Sequence, residues 1–148
     1  MKKILLVLIG LIPLPLGYLM NHLMMTVYYH KALPAFMIGV VFLVAWFGLG
    51  YLTYNLAKSN KEAIMLAHSI AFVFLVLAVI QEVFLRRYLP NHIGISTQFY
   101  FMPLLNIASK FLRFFTFRMY QGFIVAFALM CSTFYLGRKV RKKRVNEF

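Results

Sequence analysis

Few side chains in this sequence could do acid–base or metal chemistry. The acidic residues are three glutamates, and the chain has four histidines. His22, Glu82 and His92 fall at the same end of the apolar segments, if each helical residue advances the chain by about 1.5 Å. Histidine and glutamate together can bind zinc or exchange protons with a substrate. These three residues are therefore the candidates for a catalytic site.

The spacing of these residues does not strengthen that hypothesis. None of them stands at ligand spacing with another along one helix, and the H-E-x-x-H pattern does not occur. Glu82 also has a local partner in Arg86, four residues later. The lone Cys131 excludes an intrachain disulfide. We expect no metal and no cofactor, and we favour a non-enzymatic protein over an enzyme.

Four long apolar segments dominate the chain. Residues 4–29, 32–57, 63–81 and 119–137 contain no Lys, Arg, Asp or Glu. Each is close to or longer than the roughly 20 helical residues that cross a hydrocarbon layer. The sequence therefore predicts an all-α integral membrane protein, a single domain formed by a bundle of four transmembrane helices. The predicted spans are about 4–29, bent by Pro13 and Pro15, then 34–56, 63–85 and 119–137, followed by a basic tail at 138–148.

The excess of positive charge indicates where the chain lies. The net charge is +13, and the basic residues flank the apolar segments, so anionic lipid headgroups are better counterions for them than nucleic acid. Cytoplasmic termini would put ten Lys and Arg on the inner side and six on the outer side, as the positive-inside rule favours. We expect a multi-pass protein of a cell membrane, and the composition favours a bacterial one. The inner ten are Lys2, Lys3, Lys58, Lys61 and six in the tail; the outer six are Lys31, Arg86, Arg87, Lys110, Arg113 and Arg118.

The loop at 86–118, on the outer side in this arrangement, is unusual. Residues 89–96 are rich in turn formers and predict irregular chain. Residues 104–118 place polar side chains mostly three or four positions apart among many aromatic ones, which predicts an amphipathic helix at the membrane interface. A helix that simply extends the fourth span is the alternative. We expect Lys110, Arg113 and Arg118 to contact lipid headgroups.

Small residues recur at spacings that favour close helix packing. Ala63, Ala67 and Ala71 share one face of the third span, and Gly122 and Ala126 form a small-xxx-small pair on the fourth. Such faces serve packing within the bundle or contact with a partner protein or a second copy. His68, inside the third span, is expected to hydrogen-bond to a neighbouring helix.

Three functions are compatible with these features. The sequence favours an accessory, regulatory or immunity-type subunit of a membrane complex, because no set of polar side chains converges on a reaction site. The alternative is a lipid-directed enzyme or lipid-binding protein that uses the outer-face histidines and glutamate with the basic aromatic helix. A weaker alternative is a component of an oligomeric pore or transporter.

Overall fold

The structure of the chain is a computed structural model that describes residues 2–112 and 118–146. Within those residues the secondary structure is entirely helical, which confirms the predicted class. The helices are α1 (Lys2–Ile9), α2 (Pro13–Thr26), α3 (Ala35–Leu52, followed by a 3-10 turn Thr53–Leu56), α4 (Asn60–Ala67), α5 (Ser69–Val79, followed by a π-turn Ile80–Phe84), α6 (His92–Phe111) and α7 (Met119–Asn146).

Several of these helices could cross a membrane. Three stretches are long and apolar enough: Lys2–Thr26, Ala35–Leu56 and Met119–Val145. α4 and the helix from Ser69 to Phe84 pass the same test together, with a bend of 52° between them. The chain thus has three candidate spans, or four if the bent pair is one. We call the end of the bundle that holds residues 57–59 the tail end, and the opposite end, with residues 27–34 and 85–91, the loop end.

The first apolar stretch breaks between α1 and α2, as its prolines predict. Leu14 N–H donates to the Leu11 carbonyl, so the Gly10 carbonyl loses the donor it would have in a regular helix. The Tyr100 hydroxyl of α6 donates to that carbonyl over 2.6 Å. A side chain from a distant helix therefore satisfies the backbone at the break.

The break between α4 and α5 differs from the uninterrupted helix predicted for this span. It lies at His68, where neither proline nor glycine is present. The His68 ring nitrogen Nδ1 hydrogen-bonds to the Ile64 carbonyl over 3.0 Å, and the Ser69 hydroxyl donates to the Leu66 carbonyl over 2.9 Å. The His68 backbone N–H also donates to the Ile64 carbonyl, so this carbonyl accepts two bonds. Additional side-chain bonds of this kind to backbone carbonyls bend helices, which accounts for a bend without a helix breaker.

The larger difference concerns the loop expected at 86–118. α6 begins at His92, inside the segment predicted to be irregular, because the Asn91 side chain accepts the Gly94 N–H and caps the helix. α6 packs against α2, α3, α5 and α7, and Tyr100, Phe101 and Leu104 are at most 1% exposed. α6 is thus packed within the bundle as far as Ala108, whereas Phe111 at its end is exposed. The interfacial placement predicted for 104–118 stays a prediction, and residues 113–117 lie outside the described residues.

Close backbone approaches hold α6 in place. Pro103 cannot donate to the Phe99 carbonyl, and that carbonyl lies directly against Gly17 of α2, where a Cβ would overlap it. On the other side of α6, a Cβ at Gly39 of α3 would stand 2.8 Å from the Pro103 carbonyl oxygen. Glycine at these two positions therefore lets α6 enter the space between α2 and α3.

α3 and α7 form a second close pair. Leu43 of α3 and Leu129 of α7 line one cavity towards the loop end. Nearer the tail end, Arg141 of α7 contacts Tyr51 of α3. Because the residue numbers rise in the same direction along both helices, α3 and α7 are parallel. A Cβ at Gly50 of α3 would overlap the carbonyl of Phe134 on α7. This approach lets backbone pack directly on backbone, as is common between helices in lipid.

α7 is longer than predicted. The apolar pattern ends at residue 137, yet the helix continues to Asn146. Arg138, Arg141 and Arg144 have hydrogen-bond partners on the chain, and Lys and Arg are good helix formers that interact favourably with a helix C-terminus. The part of the basic tail from residue 138 to residue 146 therefore continues α7, and its arginines contact the rest of the bundle.

Candidate functional site

An apolar groove opens between α3, α6 and α7 towards the loop end. Its volume is about 390 Å³. One cationic side chain, Lys110 of α6, stands among its otherwise apolar lining, which consists of Phe36, Val40, Leu43, Ile107, Phe111 and Leu129. Such a groove offers hydrocarbon contact along its length and one positive charge, the chemistry of an acyl chain with an anionic headgroup.

The surroundings leave the charge of Lys110 available. Its ammonium nitrogen lies 3.7 Å from the centroid of the Phe36 ring, a cation–π contact that holds the side chain at the groove. Among residues 2–112 and 118–146, the single ion pair joins Lys3 to Glu62 at the tail end. Lys110 therefore has no carboxylate partner in the described part of the chain. A phosphate could approach it without displacing an existing ion pair.

The other two residues expected to contact headgroups are placed differently. Arg118 precedes α7 and is exposed; its backbone N–H donates to the side-chain oxygen of Gln121 over 3.2 Å. Arg113 lies outside the described residues. Of the two predicted contacts that the structure describes, Lys110 lines the groove.

Glu82, in the π-turn after α5, hydrogen-bonds both to the connection between α5 and α6 and to the start of α7. One carboxylate oxygen accepts the Tyr88 hydroxyl over 2.7 Å and the Tyr120 backbone N–H over 2.8 Å. Burial and the adjacent Glu82 carboxylate raise the pKa of Tyr88, so its hydroxyl remains a donor at neutral pH. These contacts give Glu82 a positioning role at the start of α7.

The two candidate histidines are exposed and do not join Glu82. His22 lies on α2, where its backbone carbonyl accepts the Thr26 hydroxyl, and His92 is the first residue of α6. In the described ranges, neither hydrogen-bonds or ion-pairs with Glu82, and no three His, Cys, Asp or Glu side chains are grouped as metal ligands. The geometry therefore gives no assembled acid–base pair.

The small residues chosen for helix packing lie inside the bundle. Ala63, Ala67, Ala71 and Ala126 are all 0% exposed, and Gly122 is also buried. The glycines with the closest backbone approaches, Gly17 and Gly50 among them, were not predicted from the sequence. Their signal is weaker, because a single glycine facing a carbonyl of another helix has no recurring spacing.

His68 makes the interhelical hydrogen bond predicted for it. Trp46 Nε1–H of α3 donates to His68 Nε2 over 3.1 Å. Because Nε2 accepts, Nδ1 carries the proton and donates to the Ile64 carbonyl. The ring is neutral in this arrangement and lies against Phe127 and Phe134 of α7. His68 thus joins α3 to the bend between α4 and α5.

Gln81, which needs no special role as far as its sequence position shows, is a positioning residue in the structure. It is 2% exposed. Its side-chain oxygen accepts the Leu89 N–H over 3.0 Å, and its side-chain nitrogen donates to the Thr97 hydroxyl. Gln81 therefore fixes the connection between α5 and α6 and so helps to position α6, which forms one wall of the groove.

Comparison with protein families, curated proteins and solved structures finds no match to this chain.

Proposed function

We propose that this chain is a multi-pass membrane protein that binds an anionic phospholipid in the groove at Lys110. The observation that carries the proposal is a lysine without a carboxylate partner among the described residues, at the edge of an otherwise apolar groove. From Phe36 to Leu43 the groove follows about 10 Å of α3, at about 1.5 Å per residue. An acyl chain would lie along this length while its phosphate contacts Lys110.

The proposed setting is a bacterial cell membrane with four spans. In it α4 and α5 form one bent span, both termini are cytoplasmic, and the loop end with its groove faces the outer leaflet. The sequence count of ten Lys and Arg on the cytoplasmic side against six on the outer side supports this orientation. A reporter enzyme that works only outside the cytoplasmic membrane should be inactive when it is fused after residue 148. Activity of this fusion would contradict the proposed orientation.

Lys110→Gln is expected to reduce the anionic phospholipid that remains bound when the protein is extracted in lipid-retaining particles. A charge-assisted hydrogen bond to phosphate contributes about 1.5–3 kcal/mol, so retention should fall about tenfold or more. Native mass spectrometry measures the bound lipid directly. Val40→Phe should also reduce retention, because it fills the groove without changing the charge.

Lys31→Gln provides the matched control. Lys31 is also exposed near the loop end but does not line the groove, so its substitution should leave lipid retention unchanged. If Lys110→Gln, Val40→Phe and Lys31→Gln retain the same amount of phospholipid, the groove is not a lipid site.

A second proposed function, an accessory or regulatory subunit of a larger membrane complex, is favoured by the outward face of α3. Val41, Val44 and Leu52 are 65%, 67% and 77% exposed. Between them, apart from Gly48's chain neighbours and the adjacent backbone of α3, no described atom lies within 4 Å of the point where a Cβ of Gly48 would stand. A partner helix could approach closely at this glycine.

The same mass spectra test this second proposal. A stoichiometric protein partner should appear with the wild-type chain and disappear with Gly48→Leu. Val73→Leu on the exposed face of α5 is the control and should keep the partner. A wild-type chain that carries no protein partner would contradict the accessory function without bearing on lipid binding.

A further inference from the structure

A second cavity lies at the tail end, opposite the groove. It is about 520 Å³ in volume and lies between the connection from α3 to α4 and the C-terminal part of α7. Unlike the groove, it is lined mainly by polar and cationic side chains, among them Asn55, Lys58, Asn60, Lys61, Arg138 and Lys142. Its volume is within the range of small-molecule sites in proteins, about 300–1,000 Å³.

The charges around this cavity are unbalanced. Lys58 on the connection from α3 to α4, Lys61 on α4 and Lys142 on α7 are exposed side chains, and all three line it. Across the part of the chain that the structure describes, none of the three forms an ion pair. Lysine ammonium groups are charged at neutral pH, and their mutual repulsion falls when an anion lies between them.

Glu62, the acidic residue nearest in sequence to Lys58 and Lys61, already has other partners. The Glu62 carboxylate pairs with Lys3 over 2.6 Å and accepts the Lys58 backbone N–H over 3.0 Å. Glu62 is not among the residues that line the cavity. α4 also begins here, capped by Ser59, and the positive end of its dipole adds to the potential of the lysines.

The wall of the cavity is held in place by Arg138. Its guanidinium donates to the Thr53 carbonyl over 2.8 Å, to the Tyr54 carbonyl over 3.0 Å and to the Asn60 side-chain oxygen over 3.1 Å. Arg138 is 1% exposed. These bonds fix the segment that carries Lys58 and Lys61 against α7, so the cationic groups face one preformed space.

We propose that this cavity binds a phosphate-bearing anion through Lys58, Lys61 and Lys142. Several lysines around one space suit an anion with more than one negative charge, and lysine binds phosphate as a point charge. The same chemistry is present in a soluble phosphate compound and in the headgroup of an anionic phospholipid. The site is separate from the groove at Lys110 and does not depend on the lipid-binding proposal.

The test uses the full chain in nanodiscs of phosphatidylcholine, with pyrophosphate as the soluble probe and titration calorimetry as the readout. In a second arm, phosphatidylglycerol is added to the nanodiscs and bound lipid is counted by native mass spectrometry. Both arms use the Lys110→Gln chain, so that the groove does not contribute. The test variant adds Lys61→Gln and Lys142→Gln; the control adds Lys31→Gln and Lys139→Gln.

Both variants remove the same charge, but Lys31 and Lys139 do not line the cavity. The test variant is expected to lose at least about tenfold in affinity for the probe that binds, whereas the control keeps it. Binding of pyrophosphate would identify a soluble ligand, and binding of phosphatidylglycerol alone would identify a lipid headgroup. Equal affinities of the two variants, or failure of both probes to bind, would overturn the proposal.

A second variant keeps the test valid if the double substitution disturbs folding. Asn55 is exposed and lines the cavity, so Asn55→Glu introduces a negative charge without removing an internal contact. It should weaken binding of the same probe at least about tenfold, with the emission of Trp46 unchanged. Unchanged affinity in this variant would also overturn the proposal.

Discussion

Replacing Gly50 with alanine is expected to separate α3 from α7 and to lower the free energy of unfolding by about 1–3 kcal/mol. The new Cβ would overlap the Phe134 carbonyl oxygen and stand 3.1 Å from the Phe134 Cα. Because the obstacle is the backbone of the facing helix, a side-chain rotation cannot relieve it. Gly137→Ala should act in the same way, since its Cβ would overlap the Phe47 carbonyl.

The measurement can use the emission of Trp46, the one tryptophan in the chain. Its ring centroid lies 6.3 Å from that of Phe134, so the emission reports on this interface while SDS unfolds the protein in mixed micelles. Gly48→Ala is the matched control, two residues away on the same helix. Apart from its chain neighbours and the adjacent backbone of α3, no described atom lies within 4 Å of its Cβ position, so the substitution should be neutral or stabilising by up to about 1 kcal/mol. Equal stabilities of the two variants would contradict the close contact at Gly50.

Arg138→Met is expected to lower the free energy of unfolding by at least as much as Gly50→Ala. The substitution leaves the Thr53 and Tyr54 carbonyls and the Asn60 side-chain oxygen without their donor. An unsatisfied buried polar group costs about 1–3 kcal/mol; since water can reach part of this site, we expect a total loss of about 3 kcal/mol. Arg138→Lys should recover only part of it, because one ammonium cannot reproduce the fork of the guanidinium.

Two readouts distinguish this role from a general effect of charge. The free energy of unfolding should fall, and trypsin should cleave after Lys58 faster in Arg138→Met than in the wild-type chain. Lys139→Met is the control, because Lys139 is the next residue on α7 and is exposed. Wild-type stability and wild-type cleavage in Arg138→Met would show that Arg138 does not hold the connection between α3 and α4.

Helices whose pattern is local could be predicted from the sequence. The apolar stretch from Ala35 to Leu56 and the break before Pro13 follow from hydropathy and from the missing proline donors. The bend at His68 could not, because it depends on hydrogen bonds that the His68 and Ser69 side chains make to backbone. The extension of α7 likewise depends on acceptors that come from the distant segment around Thr53.

The candidate sites, like the helices, could be predicted from the sequence only where they depend on local pattern. Lys110 was predicted to contact headgroups because of its position among aromatic residues, but the groove beside it is formed by three helices. The start of α6 at His92 was missed because Asn91 and Gly94 are common in turns as well as at helix caps. Tertiary contacts thus determine where the cavities form, while local pattern indicates which side chains are available to line them.

The hydrogen bond from Tyr100 to the Gly10 carbonyl also imposes an order on biosynthesis. The two residues are 90 positions apart, so the first apolar stretch is made long before its hydroxyl donor leaves the ribosome. An unpaired carbonyl in hydrocarbon costs several kcal/mol. In the membrane setting proposed above, water or the insertion machinery must therefore supply a donor at Gly10 until α6 has been made. The nascent first stretch therefore reaches its final state only when one of the last helices to be translated docks against it.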